Sequence, residues 1–473
     1  MKLLKHFIKY CCKPFAKETT IHGIYFLNER GLHPLERLFW MIVIFLSASG
    51  AASLIISNWN RYNANPTVIS IQKDFRNWKN LLPSVTGCFV SKININFMNK
   101  YIKETWNIGP SDSKYQYYAE FVKVVANVSY HNLYEFARYE NDPKVNGINF
   151  FELATKVHPE LLGTLVTFDV KRKSYFTLIM TEIGICFMVN NKFTKILAIN
   201  NSGTVEGDDT MLQCHYLNGL CYARYDSDPL APINFYVHSY IDVVHTTSNR
   251  PFHIGQSEEL EINYLMEETS PSNTLRSLSP SQRKCRFDDE PLTDDVSVYS
   301  PTICYISCRY RLVMQKCKCR PFFYHFMKGK VCNITGMICI SKYIKELILD
   351  SSKFNCYCPQ PCHIVAYLPQ APKSATWTSG YFDQRLTFRW GLLHPTTKYR
   401  RDILFSFEDL VVSLGGTLSL FLGISFISLV EIVFCLLNYL ARFCRVKFSN
   451  TPKKKYPIYK VNTEAWMMKY VRK

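Results

Sequence analysis

Two apolar runs, one near each end of the 473-residue chain, constrain this sequence more than any other feature. The first, Leu38 to Ile56, reads LFWMIVIFLSASGAASLII and carries no charge across 19 residues. That is about the length that crosses a bilayer core. Trp40 and Trp59 stand near its ends, where amphipathic rings favour the membrane–water interface. A cleaved signal peptide is the competing reading, and the 37 residues ahead of the run argue against it. The second run, Leu410 to Ala441, holds a single charge, Glu431. As a straight helix it would reach about 45 Å at roughly 1.5 Å per residue, against a hydrocarbon core about 30 Å thick. It must tilt, protrude or break, and Gly423-Ile424-Ser425 is the place to break. Broken helix at membrane depth is tolerated only where it is buried or lines water, which points to a pore.

Two spans put both termini on one side. Of the net charge of +18, residues 1–37 carry +4 and residues 441–473 carry +9. Basic ends beside apolar runs are the positive-inside bias, so that side is the cytosol and the charge calls for no nucleic-acid partner. The intervening loop then lies outside. Fourteen of the eighteen cysteines fall between Cys88 and Cys362, as a disulfide framework in an oxidising compartment requires. A zinc protein is the alternative, disfavoured because few histidines sit at ligand spacing beside the cysteine pairs. Glycosylation sequons at Asn127, Asn200 and Asn333 fall in the same loop. Aromatics at 15% and charged residues at 20% of the chain exclude a disordered chain. The chain thus divides into a cytosolic segment (1–37), a first span (38–57), an extracellular domain (58–403), a pre-pore segment with the second span (404–441) and a basic cytosolic tail (442–473).

The first half of the loop mixes alternating stretches, such as Tyr175 to Val189, with helical ones, and reads as α+β. The polar stretch Thr269 to Ser281 separates it from a second half with more telling cysteines. Cys304 and Cys308 lie among apolar residues at helical period, so both face one side of a helix about 6 Å apart. Cys356 and Cys358 in an extended segment share a face about 6.7 Å apart. The spacings match: an antiparallel helix and segment could be stapled Cys304–Cys358 and Cys308–Cys356. Cys285–Cys362 would close the outer loop, with Cys317–Cys339 and Cys319–Cys332 inside it. Spacing alone leaves other connectivities open.

At this point the chain resembles the epithelial sodium channel/degenerin family, and within it the insect pickpocket branch. The resemblance rests on Thr20-Ile21-His22-Gly23-Ile24, Leu82-Pro83-Ser84-Val85-Thr86-Gly87-Cys88 and Thr181-Glu182-Ile183-Gly184-Ile185-Cys186-Phe187. It rests equally on Ser281-Gln282-Arg283-Lys284-Cys285-Arg286-Phe287 with the cysteines beyond it, and on the run from Gly415-Gly416 through Gly423-Ile424-Ser425 to Glu431-Ile432. It covers residues from about 20 to 440. It implies a trimer, homomeric or mixed with related subunits, whose α+β ectodomain is described as palm, finger, thumb, β-ball and knuckle, the cysteine-rich thumb falling at about 282–365. It implies a plasma-membrane, voltage-independent, amiloride-blocked pore with Na+ as the permeant ion and no cofactor. The nested cysteine pairs match the family's thumb pattern; the resemblance also implies Cys88–Cys186, leaving Cys214 and Cys221 as a local pair. A cysteine pair usual in the family between Phe151 and Tyr175 is absent here. Ser413 stands where relatives often carry an acid or amide, and Val412 where many carry a small residue whose enlargement holds the channel open.

Each candidate also has a plainer reading. Gly423-Ile424-Ser425 as the selectivity filter competes with close helix packing through Gly416, Ser419 and Gly423; the family context favours rings of carbonyl and hydroxyl oxygens around a cation. Glu431 either draws cations below the filter or bonds between helices. His22-Gly23 is by resemblance a cytosolic re-entrant turn lining the lower pore, and without that context an ordinary turn. Asp288, Asp289, Glu290, Asp294 and Asp295 form a solvated acidic surface or a cation or proton site. Lys453-Lys454-Lys455 marks topology or meets anionic lipid, and Cys11, Cys12 and Cys444 are placed for palmitoylation. Three other functions compete with a sodium-conducting subunit gated by an extracellular chemical or mechanical stimulus. A non-conducting accessory subunit or receptor needs no broken pore helix. An ATP-gated channel would want a basic nucleotide pocket, and an ectoenzyme a catalytic motif; neither is present in the sequence.

Overall fold

The computed structural model describes residues 21–29, 31–169, 174–199, 211–219, 221–228, 231–292, 296–349 and 356–448. They fall into two units: residues 66–404 form one, and the residues before 66 and after 404 the other.

The 66–404 unit is built on two large sheets and a two-stranded one, Lys79–Leu81 with Gln213–His215. The larger runs, edge to edge, Thr67–Gln72, Lys398–Ile403, Glu258–Pro271, Thr387–Leu393, Cys221–Ser227 and Gly163–Thr167. Ile364–Pro369 and Lys373–Thr376 also pair with the long strand Glu258–Pro271. That strand buries alternate residues, Ile262, Tyr264 and Met266, as a period of two demands of a sheet with one covered face. The second sheet, ordered Phe252–Ile254, Ile233–His238, Ser84–Phe89, Gly184–Val189, Thr177–Thr181, has two strands buried along their whole length. The alternating stretch noted in the sequence is its hairpin, Thr177–Thr181 with Gly184–Val189.

Three helices of the same hydrophobic core pack on one another. Ile95–Trp106 and Phe150–Val157 each start at an asparagine whose side chain accepts from the first turn, Asn94 and Asn149. Between them Tyr115–Ala126 buries seven of its twelve residues. The polar stretch at 269–281 is not a linker. Its start completes the long strand, and Leu275 and Leu278 anchor the remainder in the interior. Two buried leucines, each worth about 1.5–3 kcal/mol, outweigh the polar residues around them.

Seven disulfides lie in this unit among the described residues. Cys88–Cys186 ties two fully buried strands together, and Cys214–Cys221 is local. The other five form a nested ladder: Cys285–Cys362, Cys304–Cys358, Cys308–Cys356, Cys317–Cys339 and Cys319–Cys332. Its spine is the helix Pro301–Cys317, started by Ser300 and Pro301 and ended at Lys318 in the left-handed region.

In the other unit a 31-residue helix, Pro34–Ala64, extends past the uncharged run at both ends. Its start is set by a capping box between His33 and Glu36 with Pro34 in the first turn, so Arg37 and Arg61 lie within it. It is long and apolar enough to cross a membrane. Later in the chain come Phe407–Leu422 and Phe426–Phe448, the pair bent by 77° at their break.

Candidate functional site: the broken helix and the His-Gly turn

The break is encoded residue by residue. Ser406 and Asp409 cap each other and start the first half-helix. Gly423 ends it at φ +64°, and its N–H donates to Ser419 O at 2.9 Å. This left-handed cap suits glycine, since other residues pay for a Cβ there. Ser425 restarts the chain: its Oγ accepts from Ser428 N–H, and its own N–H donates to Ser428 Oγ, both at 3.2 Å. Three residues therefore close one helix and open another in a new direction.

The His-Gly turn is seated on this break. His22 N–H donates to Leu422 O at 3.0 Å, satisfying one of the carbonyls a helix end leaves open. A Cβ on Gly423 would lie 2.7 Å from the His22 ring, so the ring occupies the space a side chain would need. Gly23 takes φ +82°, and its own missing Cβ would strike Ile44 at 2.9 Å. Phe26, one turn on, stacks on Trp40 at 4.4 Å and holds the turn to the long helix.

The long helix meets the first half-helix at two points absent from the sequence reading. Asn58 Nδ2 donates to Ser413 Oγ at 2.7 Å, and Gly50 leaves room for the Phe421 ring, which would lie 2.8 Å from a Cβ there. Beside Ser413, Val412 is 75% exposed, and nothing lies within 4 Å of where side chains on Gly415 and Gly416 would begin. Ile424 and Glu431 are half-buried, and Ser425 is exposed. The structure thus brings His22, Gly23, Gly423 and Ser425 together, pins Ser413, and leaves Val412, Gly415 and Gly416 on an open face of a single chain.

A second polar constellation lies inside the 66–404 unit. Glu182, 1% exposed, sits in the hairpin turn between Thr181 and Gly184. Arg309 of the stapled helix grips it at two points, each 2.9 Å. Tyr324 and the Thr246 N–H also donate to its carboxylate. Tyr130 bonds the Tyr324 hydroxyl at 2.7 Å. Burial, followed by the Glu182 charge, raises the hydroxyl pKa of Tyr130 and Tyr324. A lone glutamate and arginine 127 residues apart gave no hint of pairing.

Of the other sequence candidates, Asn333 is exposed at a helix N-cap and Asn127 is half-buried with Oδ1 accepting from Lys92 N–H. Asp288 pairs with Lys192, Asp289 with Arg276 and Glu290 with the buried Arg283, so these three acids are spent on ion pairs. Asn200, Asp294, Asp295, Cys11, Cys12, Lys453-Lys454-Lys455 and the side chain of Cys444 lie outside the described residues.

A long apolar helix and a helix pair broken at a glycine–serine turn, with a disulfide-rich α+β unit in the chain between them, are the parts of a membrane protein. The sequence profile of the amiloride-sensitive sodium channel family matches residues 15–435, and the chain belongs to that family of ion channels, which are not enzymes. Sodium channel protein Nach of Drosophila melanogaster is 28% identical over 180 residues, 36% of this chain and 34% of that protein. Pickpocket protein 19 of the same species is 30% identical over 200 residues, 36% of this chain and 37% of that protein. These insect relatives support the pickpocket branch. The bile acid-sensitive ion channel of Rattus norvegicus is 24% identical over 462 residues, 89% of this chain and 86% of that protein. The chain spans about a third of the length of the two insect relatives.

Proposed function

We propose that this chain is a subunit of a trimeric, voltage-independent, amiloride-sensitive sodium channel of the plasma membrane, gated by an extracellular chemical or mechanical stimulus. Both apolar stretches span the bilayer, both termini are cytosolic, and the 66–404 unit lies outside. Three copies, or copies mixed with related subunits, would set three Gly423-Ile424-Ser425 turns around one axis. Backbone carbonyls and the Ser425 hydroxyl would there replace part of a sodium ion's water shell. Glu431 would draw cations below that ring, and the open face at Val412, Gly415 and Gly416 would meet the pore or a neighbouring subunit.

The observation that carries this reading is the seating of His22 on Gly423 at a 77° break. A helix that merely anchors a receptor needs neither the break nor a second segment spent on bracing it. The test is whole-cell current in cells expressing this chain, with external sodium replaced by a large impermeant cation and amiloride then added. A sodium-carried, amiloride-blocked current made less selective by Ser425→Ala supports the assignment. Silence at full surface expression, with every related subunit supplied, would leave the non-conducting accessory role instead.

A further inference from the structure

A basic lobe forms around the two inner bridges of the disulfide ladder. From Arg309 to Lys345 the chain carries nine lysines and arginines and no aspartate or glutamate, although the whole chain holds 38 acids to 56 bases. Several of these cations are tied into the fold. Arg309 grips Glu182, and the Arg320 guanidinium donates to Gly329 O and Tyr324 O. Lys316 lies 3.9 Å from Glu346 and 5.1 Å from the Tyr343 ring, and Arg311 donates to Cys308 Sγ. Lys318, Lys330, Lys342 and Lys345 are all exposed, and among the described residues no acid pairs with any of them.

The bridges hold these lysines close together. Lys318 stands between Cys317, joined to Cys339, and Cys319, joined to Cys332. Lys330 is two residues before Cys332, and Lys342 is three after Cys339 at the end of the helix Ile334–Lys342. The bridges span 5.9 and 5.0 Å between Cα atoms. With such short steps of chain on either side, the Cα atoms of Lys330 and Lys342 lie within about 16 Å of that of Lys318. Lys318 itself caps the helix Pro301–Cys317 at φ +58°, where glycine is the ordinary choice and would sit without strain. The segment Tyr130–Tyr139, packed against Ile334–Lys342, carries Glu135 and Arg138 and adds no net charge. A packed protein interface is rich in aromatic residues and arginine and poor in lysine, whereas these four groups are all lysines. A contact with a membrane surface adds buried apolar side chains to its bases. Among the described residues from 309 to 345, Val331 is the one large apolar side chain exposed. Clustered, hydrated ammonium groups without an apolar anchor complement a hydrated polymer of repeated negative charge.

We propose that this lobe binds a sulfated polysaccharide of the extracellular matrix, with Lys318, Lys330 and Lys342 as anchors and Lys345 beside them. The inference rests on the channel reading only for placing the lobe outside the cell. In the test, lysines of the detergent-purified full chain are acylated with and without heparin, and each site is read by mass spectrometry. With heparin at about ten times its dissociation constant, Lys318, Lys330 and Lys342 should react about tenfold more slowly. Lys100, Lys103 and Lys123, exposed on Ile95–Trp106 and Tyr115–Ala126, should react at an unchanged rate. Lys318→Glu, Lys330→Glu and Lys342→Glu together should weaken heparin binding about tenfold, as the loss of three exposed ion pairs allows. Lys100→Glu, Lys103→Glu and Lys123→Glu together make the same change of net charge and should leave it unaltered. Glutamine at the first three sites removes charge without adding repulsion; it should give a smaller loss with the thermal midpoint unchanged. Absence of protection at the three anchors, or equal protection at the three control lysines, overturns the proposal. Equal loss in the two glutamate variants does the same. Tighter binding to polyglutamate or to phosphatidylserine vesicles than to heparin would assign an acidic protein or a lipid instead. The binding result stands or falls whether or not the chain conducts.

Discussion

At the residue scale, Gly423 bears two separate demands, a left-handed backbone and an empty space for the His22 ring. Gly423→Ala meets neither. Left-handed backbone alone costs a residue with a Cβ about 1–2 kcal/mol, so sodium current per surface channel should drop roughly tenfold, read by current against surface biotinylation. His22→Ala in the same chain removes the clash but not the backbone cost, and should restore only part of it. Arg309→Met tests the buried pair: leaving the Glu182 carboxylate buried without its cation costs about 3–5 kcal/mol, and surface expression should collapse. The two sites differ in how far the sequence shows them. The break at Gly423 is legible because an apolar run too long for a bilayer must do something at its glycine. The His22 contact is not, since it joins residues 401 apart and depends on tertiary packing. Glu182 is hidden for the same reason; in its hairpin turn it looks like any exposed acid.

At the element scale, the ladder is the most legible part of the fold. Residues four apart on a helix and two apart on an extended segment give nearly equal sulfur spacings, and the structure pairs Cys304 with Cys358 and Cys308 with Cys356. The helix boundaries are less legible. Pro34–Ala64 overruns its apolar stretch because capping, not hydropathy, fixes where a helix starts. The ladder also changes what one bridge is worth. Alone, a bridge such as Cys285–Cys362 with 77 residues between its ends would stabilise by about 4.5 kcal/mol. With Cys304–Cys358 intact it closes only the gap to the next rung, roughly 25 residues and about 3.5 kcal/mol. Cys285→Ser with Cys362→Ser should therefore lower the thermal midpoint of the purified protein modestly. Removing Cys304, Cys358, Cys285 and Cys362 together should cost more than the sum of the two pairs removed singly, because the surviving loop lengthens.

At the scale of the whole molecule, buried histidines tune stability to pH. His158 lies between Phe89 and Phe187, and burial, with Lys92 nearby, pushes its pKa down to about 4. Burial also lowers His238, His245 and His325. A histidine that stays neutral when folded but charges when unfolded makes the unfolded chain bind more protons between those two pKa values. Its contribution is therefore intact above about pH 6.5 and is lost as pH falls towards 4, about 3 kcal/mol for His158 alone. The unfolding midpoint should fall over that window, and His158→Phe should flatten the slope. The paired strands Thr67–Gln72 and Lys398–Ile403 carry a different consequence. Thr67 stands opposite Ile403, and Leu404 N–H donates to Pro66 O at 2.7 Å, so both exits of the 66–404 unit are rungs of one antiparallel ribbon. A single-residue insertion in one strand would turn over every side chain beyond it. Insertions and deletions in related chains should therefore gather in surface loops. Where they strike this ribbon, they should come in compensating pairs, one in each strand.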